Sequence, residues 1–330
     1  MIAPLIIAFL AMPPTVPAAR AFQIAGQRLS VVHVGDPRHL RLTQAAGATV
    51  TVNGAVFEVY PDEPGAAALV LRDAATGKVR DAYVGDHFFL PPPAPQSTDE
   101  PDFALPPAGA DVTGQGRPDV VVQFWSGGVH CCYTYLVFEL GPTPGRIALV
   151  DTVATQDSPA RFTAGSVGRQ PGGASNGSVG RQPGGVGSVG RQPGGVGSVG
   201  RQPGGVSITD MTFAYWNASF GASPRPPVVM TWRDGRFRAD ADRMRRPPPT
   251  DAEFAALVDR LKAPEIQPPE RWDAALGLIY TGHADLGWHL LDLTEPNPVE
   301  LRRDLLRQLR KSPHWPVLKA MGAMGAEPAR

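Results

Sequence analysis

Between residues 22 and 84, apolar and polar positions alternate in short runs: RLSVVHV (28–34), HLRLTQ (39–44), ATVTV (48–52), AVFEVY (55–60), AALVLRD (67–73) and GKVRDAYV (77–84). A period of two puts every second side chain on one face, as in half-buried antiparallel strands. Turn residues separate the runs at Gly35-Asp36-Pro37, Asn53-Gly54 and Ala75-Thr76-Gly77. Asn-Gly is the strongest of these signals, because both residues tolerate the left-handed backbone of a two-residue hairpin turn. The pattern predicts a β-rich module over 22–89. The proline-dense stretch LPPPAPQSTDEPDFALPPAGA (90–110) lacks any period and predicts an extended connector.

Strand character resumes in Val120–Phe124, in CYTYLVFEL (132–140), in ITDMTFAYWNASF (208–220) and in PVVMTWRDGRFRAD (227–240), where Asp234-Gly235 marks a hairpin. A second β-rich unit is expected over 111–246. Gly/Arg/Pro repeats interrupt it at 165–206: copies of GSVGRQPGGV start at Gly177, Gly187 and Gly197, after a variant copy at Gly165. Each copy carries one or two aliphatic residues, too few to offset an ordering cost of ~1–2 kcal/mol per residue. A disordered insertion in a surface loop is expected.

From Thr250 the period becomes helical. Thr250 and Glu253 form a capping-box pair, and Phe254, Leu257, Val258 and Leu261 follow on one face. Pro268-Pro269 opens a second helix through Trp272, Leu276 and Ile279; Leu286 to Leu293 form a third; Asn297-Pro298 opens a fourth with Leu301, Leu305, Leu306 and Leu309. A helical unit is expected over 247–330, and WDAALGLIYTGHADLGWHLLDL within it resembles a tetratricopeptide-type helical hairpin. The predicted class is α+β. A β-rich N-terminal and central part, built as a sandwich or as incomplete propeller-like sheets, precedes a small C-terminal helical unit.

Charge changes the list of partners. The chain has 31 basic and 31 acidic side chains, so nothing draws it as a whole toward nucleic acid or an anionic membrane. Nucleic acid is not expected as a partner. Residues 1–21 read as a secretory signal, with an apolar run from Ile2 to Met12 and Ala19-Arg20-Ala21 before the expected cleavage. That run is about half of the ~20 residues that cross a bilayer, so no integral membrane span is expected. The implied setting is periplasmic or secreted, with a cell-envelope component as the kind of partner.

Export gives weight to the two cysteines, Cys131 and Cys132, since oxidising compartments favour disulfides. Adjacent residues cannot staple distant parts of a chain. A vicinal disulfide, two thiols, a metal site and an intermolecular bridge remain open. In a regular strand His130 and Cys132 face the same side, as a soft-metal pair or a nucleophile with its base would. Partners for them would have to come from His33, His87, His283 or His289, which spacing cannot place.

The stretch DVTGQGRPD (111–119) offers a different chemistry. Asp111, Thr113, Gln115 and Asp119 carry side-chain oxygens, Arg117 can offer its carbonyl, and Gly114 and Gly116 permit tight curvature. Oxygen cages of this kind suit Ca²⁺. It is not an EF-hand, because the twelfth position is Val122 rather than Glu. Between the two, a metal-free turn in which Asp111 and Asp119 bond backbone amides is preferred, with calcium as the competing reading.

DVTGQGRPDVVV resembles the calcium loops of integrin-alpha-type (FG-GAP/VCBS-like) propeller repeats, in which an Asp-rich loop precedes a buried strand. The resemblance implies one calcium. Thr113 and Gln115 stand where that family prefers Asn or Asp. The longer combination of this loop, WSGGVHCC, FAYWNASF and IYTGHADLGWHLLDL resembles a group of uncharacterised exported bacterial proteins with an S-G-G-x-H-C-C signature. It implies a β body with a helical tail and carries no activity. The expected function is therefore an exported, non-enzymatic protein presenting a ligand- or partner-binding β surface, with one calcium-stabilised loop as an option. The alternative is a thiol- or metal-dependent hydrolase or oxidoreductase centred on His130 and Cys132.

Overall fold

A computed structural model describes residues 21–24, 27–33, 45–62, 66–92, 105–128, 131–165 and 204–324. The expected signal at 1–21 except for Ala21, the HLRLTQ run, most of the proline-dense connector, His130 and the body of the repeats lie outside the described residues.

The alternating runs become three antiparallel sheets. The first contains β1 (Ala21–Ile24), β2 (Gln27–His33), β3 (Ala48–Val52), β4 (Ala55–Asp62), β5 (Ala66–Asp73) and β6 (Val79–Gly85), in the order β1-β2-β6-β5-β4-β3. The second contains β7 (His87–Phe89), β8 (Asp119–Gly128), β9 (Cys131–Leu140) and β10 (Ile147–Gln156), in the order β10-β9-β8-β7. The third runs β11 (Arg161–Thr163), β12 (Gly205–Thr209), β13 (Pro227–Arg233) and β14 (Arg236–Ala239) in chain order.

Two cores hold these layers. Phe57, Leu69, Leu71 and Tyr83 of the first sheet pack on Val120, Val122, Phe124 and Phe138 of the second. The Phe138 ring meets Phe57 edge-on at 5.4 Å. On the opposite face of the second sheet, Val121, Tyr135, Val137 and Val153 join Val206, Ile208, Val228 and Met230 of the third sheet in a core that continues into the helices. The second sheet is thus the middle layer. This explains why Val120, Val121, Val122 and Phe124 of β8 are all buried, with only Gln123 polar among them: both faces of the strand are covered. It also accounts for β7, which the spacing groups with the first module but which pairs with β8, His87 opposite Trp125. The boundary at 89 therefore crosses a shared core.

Local signals act where they stand. Asn53 and Gly54 turn β3 into β4 with φ of 46° and 72°. The same turn reaches the β9–β10 connection, with Asn53 Nδ2 donating to the Gly141 carbonyl at 2.9 Å. Thr163 of β11 lies opposite Gly205 of β12, so the repeats are the connection of one antiparallel pair.

The stretch 208–220 differs from expectation, because the strand stops at Thr209. Asp210 Oδ1 accepts the Thr212 amide at 2.9 Å and caps a 3-10 turn, Met211–Phe213. Tyr215 and Asn217 then take φ of 59° and 50°. A side-chain bond to nearby backbone competes with sheet pairing; Phe213 is fully buried, Trp216 packs between it and Trp272, and Tyr215 stays exposed.

The helical unit comprises α1 (Ala241–Met244), α2 (Asp251–Leu261), α3 (Pro268–Tyr280), α4 (Ala284–Thr294), α5 (Pro298–Leu309) and α6 (Trp315–Ala320). The capping box forms at α2, with the Thr250 amide 2.8 Å from Glu253 Oε2 and the Glu253 amide 3.3 Å from Thr250 Oγ1. In the α3–α4 hairpin a Cβ at Gly287 would lie 2.7 Å from the Ala275 carbonyl, so this approach requires glycine. Helices α1 and α6 are too short to show a helical period. No described helix is long and apolar enough to cross a membrane.

Candidate functional site

The loop 111–119 folds back on the start of β8. Gly114 and Gly116 take φ of 71° and 76°, the left-handed backbone that their lack of Cβ makes inexpensive. The curvature brings Thr113 over Asp119: the Thr113 amide donates to Asp119 Oδ2 at 2.8 Å and its hydroxyl donates to the same oxygen at 3.0 Å. That hydroxyl also stands 3.4 Å from Asp111 Oδ1, while Asp111 Oδ2 accepts the Gly116 amide at 2.7 Å. The two carboxylates therefore flank one hydroxyl.

Asp119 is 1% exposed, and its Oδ1 has no hydrogen-bond partner among the described residues. Burial pushes its carboxyl up to about 7, against the lowering effect of the Thr113 bonds; the nearby charges of Asp111 and Glu139 push the same way as burial. A buried acceptor left unmatched is uncommon in folded proteins. A buried carboxylate with one oxygen free, in a loop that also brings up a second carboxylate and a hydroxyl, is a donor set that fits a hard cation.

The ends of the repeat connection meet this loop. The Gly165 amide donates to the Asp111 carbonyl at 2.7 Å, and a Cβ at Gly204 would lie 1.8 Å from the Val112 carbonyl. Of the five loop residues singled out from the sequence, Asp111, Thr113 and Asp119 come together. The Gln115 and Arg117 side chains instead line a neighbouring cleft, where Arg117 pairs with Glu139 of β9 at 2.8 Å. No group of three or more His, Cys, Asp or Glu converges on one point among the described residues.

Cys132 is buried and disulfide-bonded, and the only other cysteine in the chain is Cys131. The Cys132 amide donates to Ser126 Oγ at 2.9 Å, which ties the start of β9 to the end of β8. His87 stacks on Trp125 at 5.0 Å, and Trp125 on Tyr133 at 6.4 Å. His283 Nε2 lies 2.7 Å from the Arg246 carbonyl and His289 stacks on Phe254, both in the helical part.

Sequence spacing missed the cleft. It is open, about 480 Å³, and joins the loop to Glu139 and to Trp232, Arg233 and Asp234 at the β13–β14 turn. Its walls come from four separated stretches, the fourth being Val150 of β10, and the only local signal was a tryptophan next to an Asp-Gly turn. Comparison with protein-family models, curated proteins and solved structures finds no match to the chain.

Proposed function

We propose that this is an exported, non-catalytic protein that presents a ligand- or partner-binding surface on its β layers, with one calcium ion ordering the 111–119 loop and a cell-envelope component as its kind of partner. The observation that carries the calcium reading is the buried Asp119 carboxylate, which keeps Oδ1 unmatched while its Oδ2 and Asp111 Oδ1 flank the Thr113 hydroxyl. Asp119 and Asp111 would hold the ion, with the Thr113 hydroxyl beside them. A site with two carboxylates suits the millimolar calcium met outside cells, since affinity follows ligand charge. A disulfide at Cys132 supports an oxidising compartment. It also leaves that sulfur without the thiolate that a nucleophilic enzyme would need.

Thermal unfolding of the purified chain in millimolar Ca²⁺ and in EGTA tests the reading. A ligand selective for the native state stabilises by mass action, so the melting temperature should rise with Ca²⁺. Asp119→Asn and Asp111→Asn should each abolish the rise. Equal melting in Ca²⁺ and in EGTA would overturn the calcium loop.

A further inference from the structure

The cleft beside the loop has the volume of a small-ligand site, about 480 Å³. Trp232 of β13 contributes an aromatic surface, its indole held edge-on by Phe237 at 5.2 Å. Around it stand planar polar groups: the Gln115 amide, the Arg117 and Arg233 guanidinium groups, and the Glu139 and Asp234 carboxylates. Each charge pairs with a neighbour: Arg117 with Glu139, Arg233 with the buried Asp240 behind it, and Asp234 with Arg238 at 3.9 Å. No surplus charge remains to select a free anion or cation.

We propose that this cleft binds a neutral saccharide of one or two rings. A hexose has an apolar face of axial C–H groups, which packs on an indole, and a rim of neighbouring hydroxyls that each donate and accept. Forked planar groups match such a rim: a guanidinium donates twice, a carboxylate accepts twice, and an amide does one of each. The Arg117–Glu139 pair holds two of these groups in place before the ligand arrives, which lowers the ordering cost of binding. Gln115 and Arg117 belong to the 111–119 loop, so the order of that loop sets the shape of one wall. The inference rests on the reading of the chain as a ligand-binding protein and names the ligand class.

Calorimetric titration and saturation-transfer NMR of the full chain with cellobiose, maltose and N,N′-diacetylchitobiose test it. At least one disaccharide should bind saturably, and Trp232→Ala should weaken it at least about tenfold, a change of ~1.4 kcal/mol. Gln115→Ala, at an exposed loop position that leaves the core intact, should weaken it as well and serves if the tryptophan variant does not fold. No saturable binding of any of the three, binding unchanged in the variants that fold, or binding of inorganic phosphate in their place would overturn the proposal. The calcium response is measured separately: loss of sugar binding with an intact Ca²⁺ shift rejects the cleft alone, and the reverse rejects the calcium loop alone.

Discussion

The Tyr280 hydroxyl of α3 donates to Asp210 Oδ2 across 2.7 Å, joining the end of β12 to a helix seventy residues further along the chain. The Ser312 hydroxyl, between α5 and α6, donates to the same oxygen. One buried carboxylate thus ties the third sheet to two points of the helical unit. Tyr280→Phe removes one bond and keeps the ring. It should cost about 1.5–3 kcal/mol, the range for a hydrogen bond to a charged group. A lower urea midpoint at unchanged slope would show this; an unchanged midpoint would mean that the carboxylate needs only its other donors.

His314 adjoins that cluster, its amide donating to Ser312 Oγ at 3.0 Å. Burial holds its imidazole below the ordinary histidine value, partly offset by the Asp210 charge. The folded state therefore binds the proton less readily than the unfolded chain. Its contribution to stability is present above the unfolded value of roughly 6.5 and is lost as pH falls through the lower folded value. Lowering the pH from 8 to 5 should therefore lower the urea midpoint of the unmutated protein relative to that of His314→Gln; the raised Asp119 carboxyl acts in the opposite direction in both proteins and cancels in this difference. Parallel pH profiles for the two proteins would exclude His314 as a cause.

Because Thr163 and Gly205 face each other across β11 and β12, the repeats can be replaced by a short turn. Deleting 167–202 and closing with Gly-Ser should shift the melting temperature by less than about 2–4 °C, the effect of ~1 kcal/mol in a domain of 150–250 residues. Extending the cut through Gly165 and Gly204 removes their contacts with the Asp111 and Val112 carbonyls and should lower it further. Calorimetry of both deletions decides: equal melting would show that these glycines contribute nothing.

Two glycines should respond to alanine with opposite signs. At Gly204 the new methyl would overlap the Val112 carbonyl, and overpacking of this kind costs about 1–3 kcal/mol. At Gly277, inside α3, a Cβ meets nothing within 4 Å. There alanine should stabilise by about 0.5–1 kcal/mol, since glycine loses more backbone entropy in a helix. Denaturant unfolding of both variants gives the two signs; a stabilised Gly204→Ala would contradict the packing at the loop.

Thiol titration of the denatured, unreduced chain should find no reactive cysteine, because Cys132 is disulfide-bonded and no described cysteine is free; reduction should release both. If the bridge joins adjacent residues, as the spacing of the two cysteines allows, the stability lost on reduction should fall well below the ~3 kcal/mol of a fifteen-residue loop, because such a bridge closes almost no chain. Rapid labelling of the native, unreduced protein would instead revive the thiol-enzyme reading.

Much of the site was legible because its geometry is local. Asp111, Thr113 and Asp119 meet within one loop, and the glycines between them announce its curvature. The Arg117–Glu139 pair and the cleft were not legible: Glu139 is aligned with Arg117 only through the pairing of β8 with β9, and Trp232 arrives with a different sheet. Nothing in the composition of either stretch encodes that alignment.

By itself the sequence determined the features that depend on residues a few positions apart. These are the Asn53-Gly54 and Asp234-Gly235 turns, the Thr250–Glu253 cap, the registers of their hairpins and the apolar faces of α2 to α5. Turn sterics, capping bonds and side-chain period act within one or two turns of chain, so local order reveals them. Only the tertiary structure decided that β6 lies between β2 and β5, that β7 joins the second sheet, and that β8 is covered on both faces. It also decided that Asp119 keeps one oxygen without a partner. Those outcomes come from burying many apolar side chains at once, a non-directional effect shared across distant segments, which no short window of sequence contains.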